Sequence, residues 1–194
     1  MGINTKVRHP AIFLDRDGTI IHQVELLSRT DQIRLIPGAA EAIQLFNKLR
    51  FLVIVVTNQP VVARGIVTEN EVVHIHDVLV KRLSKKDARI DAFYFCPHHA
   101  NANLKKYRVV CTCRKPEPGM ILEAAKEHSI DLKKSFLIGD STQDVLAGNR
   151  AKVKMILVKT GHGGGDSWQH NGKPDFIAKN ILTAATIIKR ETKK

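Results

Sequence analysis

The residues able to do chemistry in this chain fall into two sets. The first is rich in oxygen: Asp15-Arg16-Asp17-Gly18-Thr19, Thr57-Asn58-Gln59 and Gly139-Asp140 with Asp144, joined by Lys115. The second is Cys96, His98, Cys111 and Cys113. Carboxylates gathered in one place repel one another unless a cation neutralises them. Oxygen ligands from Asp15, Asp140 and, at Asp17, a main-chain carbonyl suit Mg²⁺, which prefers a few carboxylates, retained waters and a substrate phosphate. Asp15 is then placed to attack phosphorus as a carboxylate nucleophile, giving an aspartyl-phosphate. Asp17, two residues on and facing the same side of the extended chain, can protonate the leaving oxygen and then deprotonate the hydrolytic water. Thr57 and Lys115 would hold the oxygens of the transferring phosphoryl group.

Three thiols and one imidazole make a complete tetrahedral set for Zn²⁺, with no position left open for water, so that site is expected to be structural. The pattern is Cys-x-His, a twelve-residue spacer, then Cys-x-Cys, and it uses every cysteine in the chain. His98 is the expected ligand rather than His99, because alternate residues of an extended segment face the same way as Cys96. Cysteines this few and this clustered exclude a disulfide framework. Cys113 runs straight into Arg114-Lys115, so a bound metal would fix both. Arg114 suits bidentate recognition of a second phosphate or a carboxylate. Asn58, Arg114 and Lys115 are the expected substrate contacts.

Short apolar runs separated by amphipathic stretches must position these groups. Strands are predicted at residues 11–14, 52–57, 92–96, 135–138 and 154–158, each β-branched or aromatic-rich and several followed at once by the polar residues above. Helices are predicted after Pro37-Gly38, from the Thr68/Glu71 capping box towards Leu83, from Pro118-Gly119 to about His128, after Thr142, and over 181–189 with Asn180 as N-cap. This alternation implies an α/β, Rossmann-like parallel sheet with helices on both faces, in which ligands bind at the carboxyl ends of strands. No internal repeat or linker interrupts it, so residues 1–194 are expected to form a single domain with a zinc loop at about 96–115. The intervals 15–57 and 57–115 are filled by these elements and leave no room for a separate cap domain. The stretch Thr160-Gly161-His162-Gly163-Gly164-Gly165 lacks the Gly-Lys-Ser/Thr ending of a nucleotide P-loop and reads as a mobile rim loop, with His162 and His170 as surface residues.

The 194 residues carry 31 Lys+Arg against 19 Asp+Glu, a formal charge of +12, with 43% apolar and 26% charged residues. No stretch approaches the ~20 apolar residues of a membrane span. The N-terminal segment, with Lys6 and Arg8 but no following apolar core and cleavage site, predicts a cytoplasmic protein. The basic runs at 81–86, 105–108 and 189–194 read as solvated faces rather than a nucleic-acid surface, since aromatics make up only 5% and no stacking platform is apparent. With no amphipathic stripe left over for a partner, a monomer is expected.

Asp-x-Asp-Gly-Thr (15–19), Thr57 after an apolar strand, Lys115 before a helix and Gly-Asp-x-x-x-Asp (139–144) resemble the four ordered motifs of the haloacid dehalogenase phosphatase superfamily, over residues 11–150. Cys96-Pro97-His98 joined to Cys111-x-Cys113-Arg114-Lys115-Pro116 is similar to the zinc loop of the D,D-heptose 1,7-bisphosphate phosphatases and of their relatives, the histidinol-phosphate phosphatases. The long spacer, Ala63-Arg64-Gly65 and Arg-Lys-Pro-x-Pro-Gly-Met (114–120) resemble the heptose branch. The resemblance implies removal of the 7-phosphate of D-glycero-D-manno-heptose 1,7-bisphosphate, a small-molecule substrate, for envelope polysaccharide synthesis, beside the Mg²⁺ and Zn²⁺ expected from the residues. Three departures border the expected pocket: Pro60-Val61 where the family usually has Ser-Gly, Ser141 where a Lys often stands, and no aromatic residue over 22–30. Histidinol phosphate is an alternative substrate, against which the spacer speaks. A nucleic-acid 3′-phosphatase would draw on the +12 charge and predicts steep salt dependence of DNA binding. A non-enzymatic zinc module would leave the Asp15, Asp17, Thr57, Lys115 and Asp140 set unexplained.

Overall fold

Six strands run parallel in the computed structural model, in the order β3-β2-β1-β4-β5-β6. They are β1 (Ala11–Leu14), β2 (Leu52–Asn58), β3 (Ala92–Cys96), β4 (Phe136–Gly139), β5 (Lys154–Val158) and β6 (Phe176–Ala178). The structure describes residues 8–193; the first seven residues, on which part of the targeting expectation rests, and Lys194 of the basic tail lie outside the described residues. Among the described residues no helix is long and apolar enough to cross a membrane.

Burial explains why these runs form strands. Ile12 and Leu14 face one apolar core, together with Val53, Val55 and Ile138, while Ala11 and Phe13 face the other, with Ile54, Val56 and Leu137. A strand covered on both sides needs apolar residues at every position, which is the continuous pattern of a central parallel strand. The first core is closed by α1 (Ala39–Lys48), α3 (Glu69–Ser84) and α6 (Ile181–Glu191), the second by α4 (Gly119–Glu127) and α5 (Thr142–Ala151). Helices thus cover both faces, as the alternation predicts. The Thr68/Glu71 capping box opens α3, and Asn180 caps α6 by accepting from the Thr183 N–H at 3.0 Å.

Differences from the sequence reading lie where local signal is weak. β6 is only three residues long and pairs with β5 from Ile156↔Phe176 to Val158↔Ala178. The four-residue α2 (Pro60–Ala63) starts on Pro60, whose missing N–H costs nothing at a helix start. β4 begins one residue later than predicted because Ser135 is a side-chain anchor: its hydroxyl accepts from Ala11 N at 2.9 Å and donates to Asp131 O at 2.7 Å. A third, smaller apolar cluster of Val61, Val62, Val67, Val72, Ala102 and Tyr107 lies between α2, α3 and the loop that follows β3.

Candidate active site

β1 and β4 are neighbours, yet their connections leave in opposite directions across the sheet, and a cleft opens where the strand order reverses. Asp15 follows β1 and Asp140 follows β4, so the register Leu14↔Ile138 brings the two carboxylates together at that cleft. Two glycines make room for them. A Cβ on Gly18 would stand 2.2 Å from Asp140 Oδ2, and one on Gly161 would stand 2.0 Å from the same atom; both residues have positive φ, +78° and +58°. Asp140 Oδ2 accepts from the His162 N–H at 2.6 Å, which ties the glycine-rich loop to the carboxylate.

Lys115 is the buried cation of the site. Its Nζ donates to Asp15 Oδ1 at 2.6 Å, Asp144 Oδ1 at 2.6 Å and Val56 O at 2.9 Å. Asp144 turns its other oxygen back to Ser141, accepting from the hydroxyl at 2.6 Å and from N at 3.1 Å, and so closes the capping box of α5. Asn58 clamps the Lys115 main chain: its side-chain amide donates to Lys115 O and its carbonyl accepts from Lys115 N, both at 3.0 Å. Asn58 also borders the cavity, but its polar atoms are committed to Lys115 and Gln143.

The charge balance is incomplete. Burial pushes the Asp15 carboxyl up to about 7; Lys115 opposes this, and Asp144 and Asp17 add to it. Burial, followed by Asp15 and Asp144, pushes Asp140 up to about 8. Burial works against the Lys115 ammonium, but Asp144 and Asp15 outweigh it and raise its pKa. Asp15, Asp140 and Asp144 offer oxygens within 4.8 Å of one another. A hard divalent cation fits that donor set, since it would offset the burial and the mutual repulsion that raise Asp15 and Asp140. The side chain of Asp17 is outside this set.

Asp17 is held elsewhere by a network that sequence reasoning missed. Its Oδ2 accepts from Arg16 Nη2 at 2.8 Å, Arg16 Nε at 3.1 Å and Gln59 Nε2 at 3.0 Å. Arg16 is 1% exposed and also donates to Gln59 Oε1 at 2.9 Å and His76 Nε2 at 3.2 Å. His76 comes from α3 and stacks on Phe93, with ring centroids 4.4 Å apart. Burial, with Arg16 beside it, holds His76 down to about 3, so the ring is neutral and accepts. Gln59 Nε2 donates at 2.9 Å to Thr57 Oγ1, which leaves the hydroxyl hydrogen of Thr57 free to point into the cleft. Asp17 Oδ1 is buried without a hydrogen-bond partner. One oxygen of Asp17 is therefore fixed and the other is left for chemistry. An Arg between two aspartates was the available sequence signal, but nothing in the sequence placed His76 beside it.

The sulfur set also assembles. Cys113 Sγ lies 2.9 Å from Cys96 Sγ, 3.3 Å from Cys111 Sγ and 3.4 Å from His98 Nδ1, and Cys96 Sγ lies 3.6 Å from both Cys111 Sγ and His98 Nδ1. A tetrahedron with Zn–S bonds of ~2.3 Å has edges of about 3.8 Å, so the set is gathered closely enough to hold one Zn²⁺, and the separations from Cys113 would open by up to about 0.9 Å around it. Cys96 closes β3, and the other ligands lie on the loop that returns to α4. Gly119 lets that loop in: its N–H donates to Thr112 O at 2.9 Å, and a Cβ there would stand 2.2 Å from the same oxygen. Arg114 donates to the His98 carbonyl at 3.0 Å, so its guanidinium is braced by the sulfur loop while it borders the cavity.

The cavity over these groups holds about 320 Å³ and is lined on its floor by Asp15, Asp17, Thr57 and Asp140. Arg64, His99 and Arg114 supply a basic side, and Pro60 and Val61 face it as well. His162, expected at the surface, is exposed and lines this cavity.

Comparison with known proteins adds independent findings. A family model described as HAD-hydrolase-like matches residues 112–184. A D-glycero-beta-D-manno-heptose-1,7-bisphosphate 7-phosphatase of Rhodopseudomonas palustris is 44% identical over 146 residues, 75% of this chain and 81% of that protein. The protein of the same name in Haemophilus influenzae is 36% identical over 181 residues, 93% of this chain and 97% of that protein. The fold is similar to the crystal structure of D,D-heptose 1,7-bisphosphate phosphatase from B. bronchiseptica complexed with magnesium and phosphate. That likeness has a TM-score of 0.83 and 28% identity, over 94% of this chain and 99% of the other.

Proposed function

The chain belongs to the D-glycero-D-manno-heptose 1,7-bisphosphate 7-phosphatase family of HAD-like hydrolases, and from that premise we propose how its own residues remove the 7-phosphate. The observation that carries the reading is the pairing of Asp15 with Lys115 at the β1/β4 switch point, beside an Asp17 with one fixed and one free oxygen. The Asp15 carboxylate attacks phosphorus; an O–P bond forms and the bond from phosphorus to the sugar oxygen breaks. Asp17 Oδ1 gives that oxygen its proton, then takes one from the water that attacks the aspartyl-phosphate, which releases inorganic phosphate and restores Asp15. Thr57 donates to the transferring phosphoryl group, and Lys115 balances the charge it brings. Arg16, Gln59 and His76 position Asp17, and Asn58 positions Lys115.

Asp15 and Asp140, with a main-chain oxygen at Asp17, would hold Mg²⁺, which offsets the repulsion between the substrate phosphate and the Asp15 carboxylate. Cys96, His98, Cys111 and Cys113 would hold a structural Zn²⁺ that braces Arg114, and Arg114 recognises the second phosphate. The substrate is then a small sugar bisphosphate, and the basic faces are solvated.

The test is phosphate release with Mg²⁺ across both anomers of the heptose bisphosphate, histidinol phosphate and a 3′-phosphorylated oligonucleotide. A preference for the heptose, most plainly for its β anomer, is the expected result, with Asp15→Asn at least about 10³-fold slower. Preference for histidinol phosphate or the oligonucleotide would overturn the substrate assignment, and activity retained in Asp15→Asn would overturn the nucleophile.

A further inference from the structure

One wall of the cavity takes no part in phosphoryl transfer. It carries Trp168, the single tryptophan of the chain, which is 48% exposed although it lines the same cavity as Asp15 and Thr57. A large aromatic side chain held half in water at a cavity mouth gives up apolar burial that the core could have supplied. Its position is built rather than loose. Asp166, two residues before it, accepts from Thr142 N and Thr142 Oγ1, both at 2.6 Å, and His170, two residues after it, donates from its N–H to Thr142 Oγ1 at 3.0 Å. Trp168 therefore stands in a short arch pinned at both feet to the first turn of α5. Its ring meets His162 in a T-shaped contact, with centroids 5.6 Å apart and planes at 74°, which can cover at most one of the two indole faces.

The rest of the cavity has the complementary character. The floor is anionic and hydroxylic, one side is basic, and Val24, Leu27, Pro60 and Val61 are apolar. A phosphorylated sugar presents charge at its phosphates, hydroxyls around its rim and one face of C–H groups on its ring. Cavities of this kind orient a ligand with a few polar groups and gain affinity from apolar and aromatic walls. We propose that Trp168 is a specificity-determining residue, whose indole stacks on the C–H face of the sugar ring while the phosphate sits on the floor. This rests on the sugar-phosphatase reading above and assigns Trp168 no part in bond making or breaking.

The single tryptophan makes the test direct. Asp17→Asn protein with Mg²⁺ is titrated with the heptose bisphosphate, with D-mannose 6-phosphate and with inorganic phosphate while tryptophan emission is followed. The two sugar phosphates are expected to change the emission saturably, and inorganic phosphate to leave it unchanged. In otherwise unaltered protein, Trp168→Ala is expected to raise KM for the heptose bisphosphate roughly tenfold with kcat within about twofold. Trp168→Phe restores most of that KM, and hydrolysis of acetyl phosphate, which has no ring to stack, is unaltered in both variants. An unchanged KM in Trp168→Ala, an equal loss on acetyl phosphate, or an emission change produced in full by inorganic phosphate would each overturn the proposal. Should the wild type leave the heptose bisphosphate intact, the substrate reading fails, and the emission titration with D-mannose 6-phosphate still decides for or against stacking.

Discussion

The oxygen cluster and the sulfur cluster solve the same electrostatic problem in opposite ways. Each brings acidic ligand atoms within 4.8 Å of one another. The carboxylates sit just after two central strands and in the first turn of α5, and have a resident cation, Lys115, at 2.6 Å from both Asp15 and Asp144. The sulfurs sit at the end of β3 and on the loop after it, where the nearby Arg114 guanidinium reaches the His98 carbonyl. With no cation among them, Cys96 is pushed up, first by its hydrogen bond with Cys113 and then by burial, and Cys113 falls to about 5 mainly through that same bond. The difference teaches which site would depend on a bound metal for its shape. The sheet fixes the carboxylates, and Lys115 keeps them close before any metal binds, whereas the sulfur loop is expected to owe its closure to the bound ion.

Lys115→Met tests the first half of this contrast and has the largest expected effect. Removing the buried partner leaves Asp15 and Asp144 uncompensated, at a cost of about 3–5 kcal/mol. A melting temperature lower by about 10 °C is expected, with kcat lower by roughly 10²–10³-fold on the sugar bisphosphate. Cys113→Ser comes next. Metal analysis should show zinc lost, the melting temperature should fall less than in Lys115→Met, and kcat/KM should drop about tenfold through the loosened Arg114 and Lys115. A loss in Cys113→Ser as deep as that in Lys115→Met would break the contrast, because the loop would then be shaping the carboxylate site outright.

The third test is a dependence on pH. Unfolded carboxyls release their protons near 3.8, while folded Asp15 and Asp140 hold theirs to about 7 and about 8. Through that window the folded state binds more protons, so stability falls as pH rises. In a chelator, melting at pH 8 should occur below melting at about pH 5, and added Mg²⁺ should narrow the gap. No gap would mean that Lys115 alone balances the carboxylates.

The sequence and the structure divide the work unevenly across the chain. β1, β2 and β5 were legible because each is a dense apolar run, and the groups after β1, β2 and β4 were legible because carboxylates and hydroxyls directly after such runs have few structural uses. β6 was not, since three residues gain strand geometry only from the neighbouring edge of β5. His76 carries the ordinary signal of a helical residue, and its meeting with Arg16, sixty positions away, exists only once α3 packs on the sheet.

What the sequence by itself determined is the chemistry available: two sets of ligand-bearing side chains at strand ends and on one loop, whose types and spacing are local properties that survive without a fold. The tertiary structure alone decided which partners each would have. Asp144 took Lys115, Gln59 joined Asp17 to Thr57, and Trp168 was carried to the cavity by an arch anchored on Thr142. Those choices depend on distances between residues far apart in the chain, and such distances are set when apolar faces close over the sheet and buried polar groups must find hydrogen bonds among the neighbours that packing gives them.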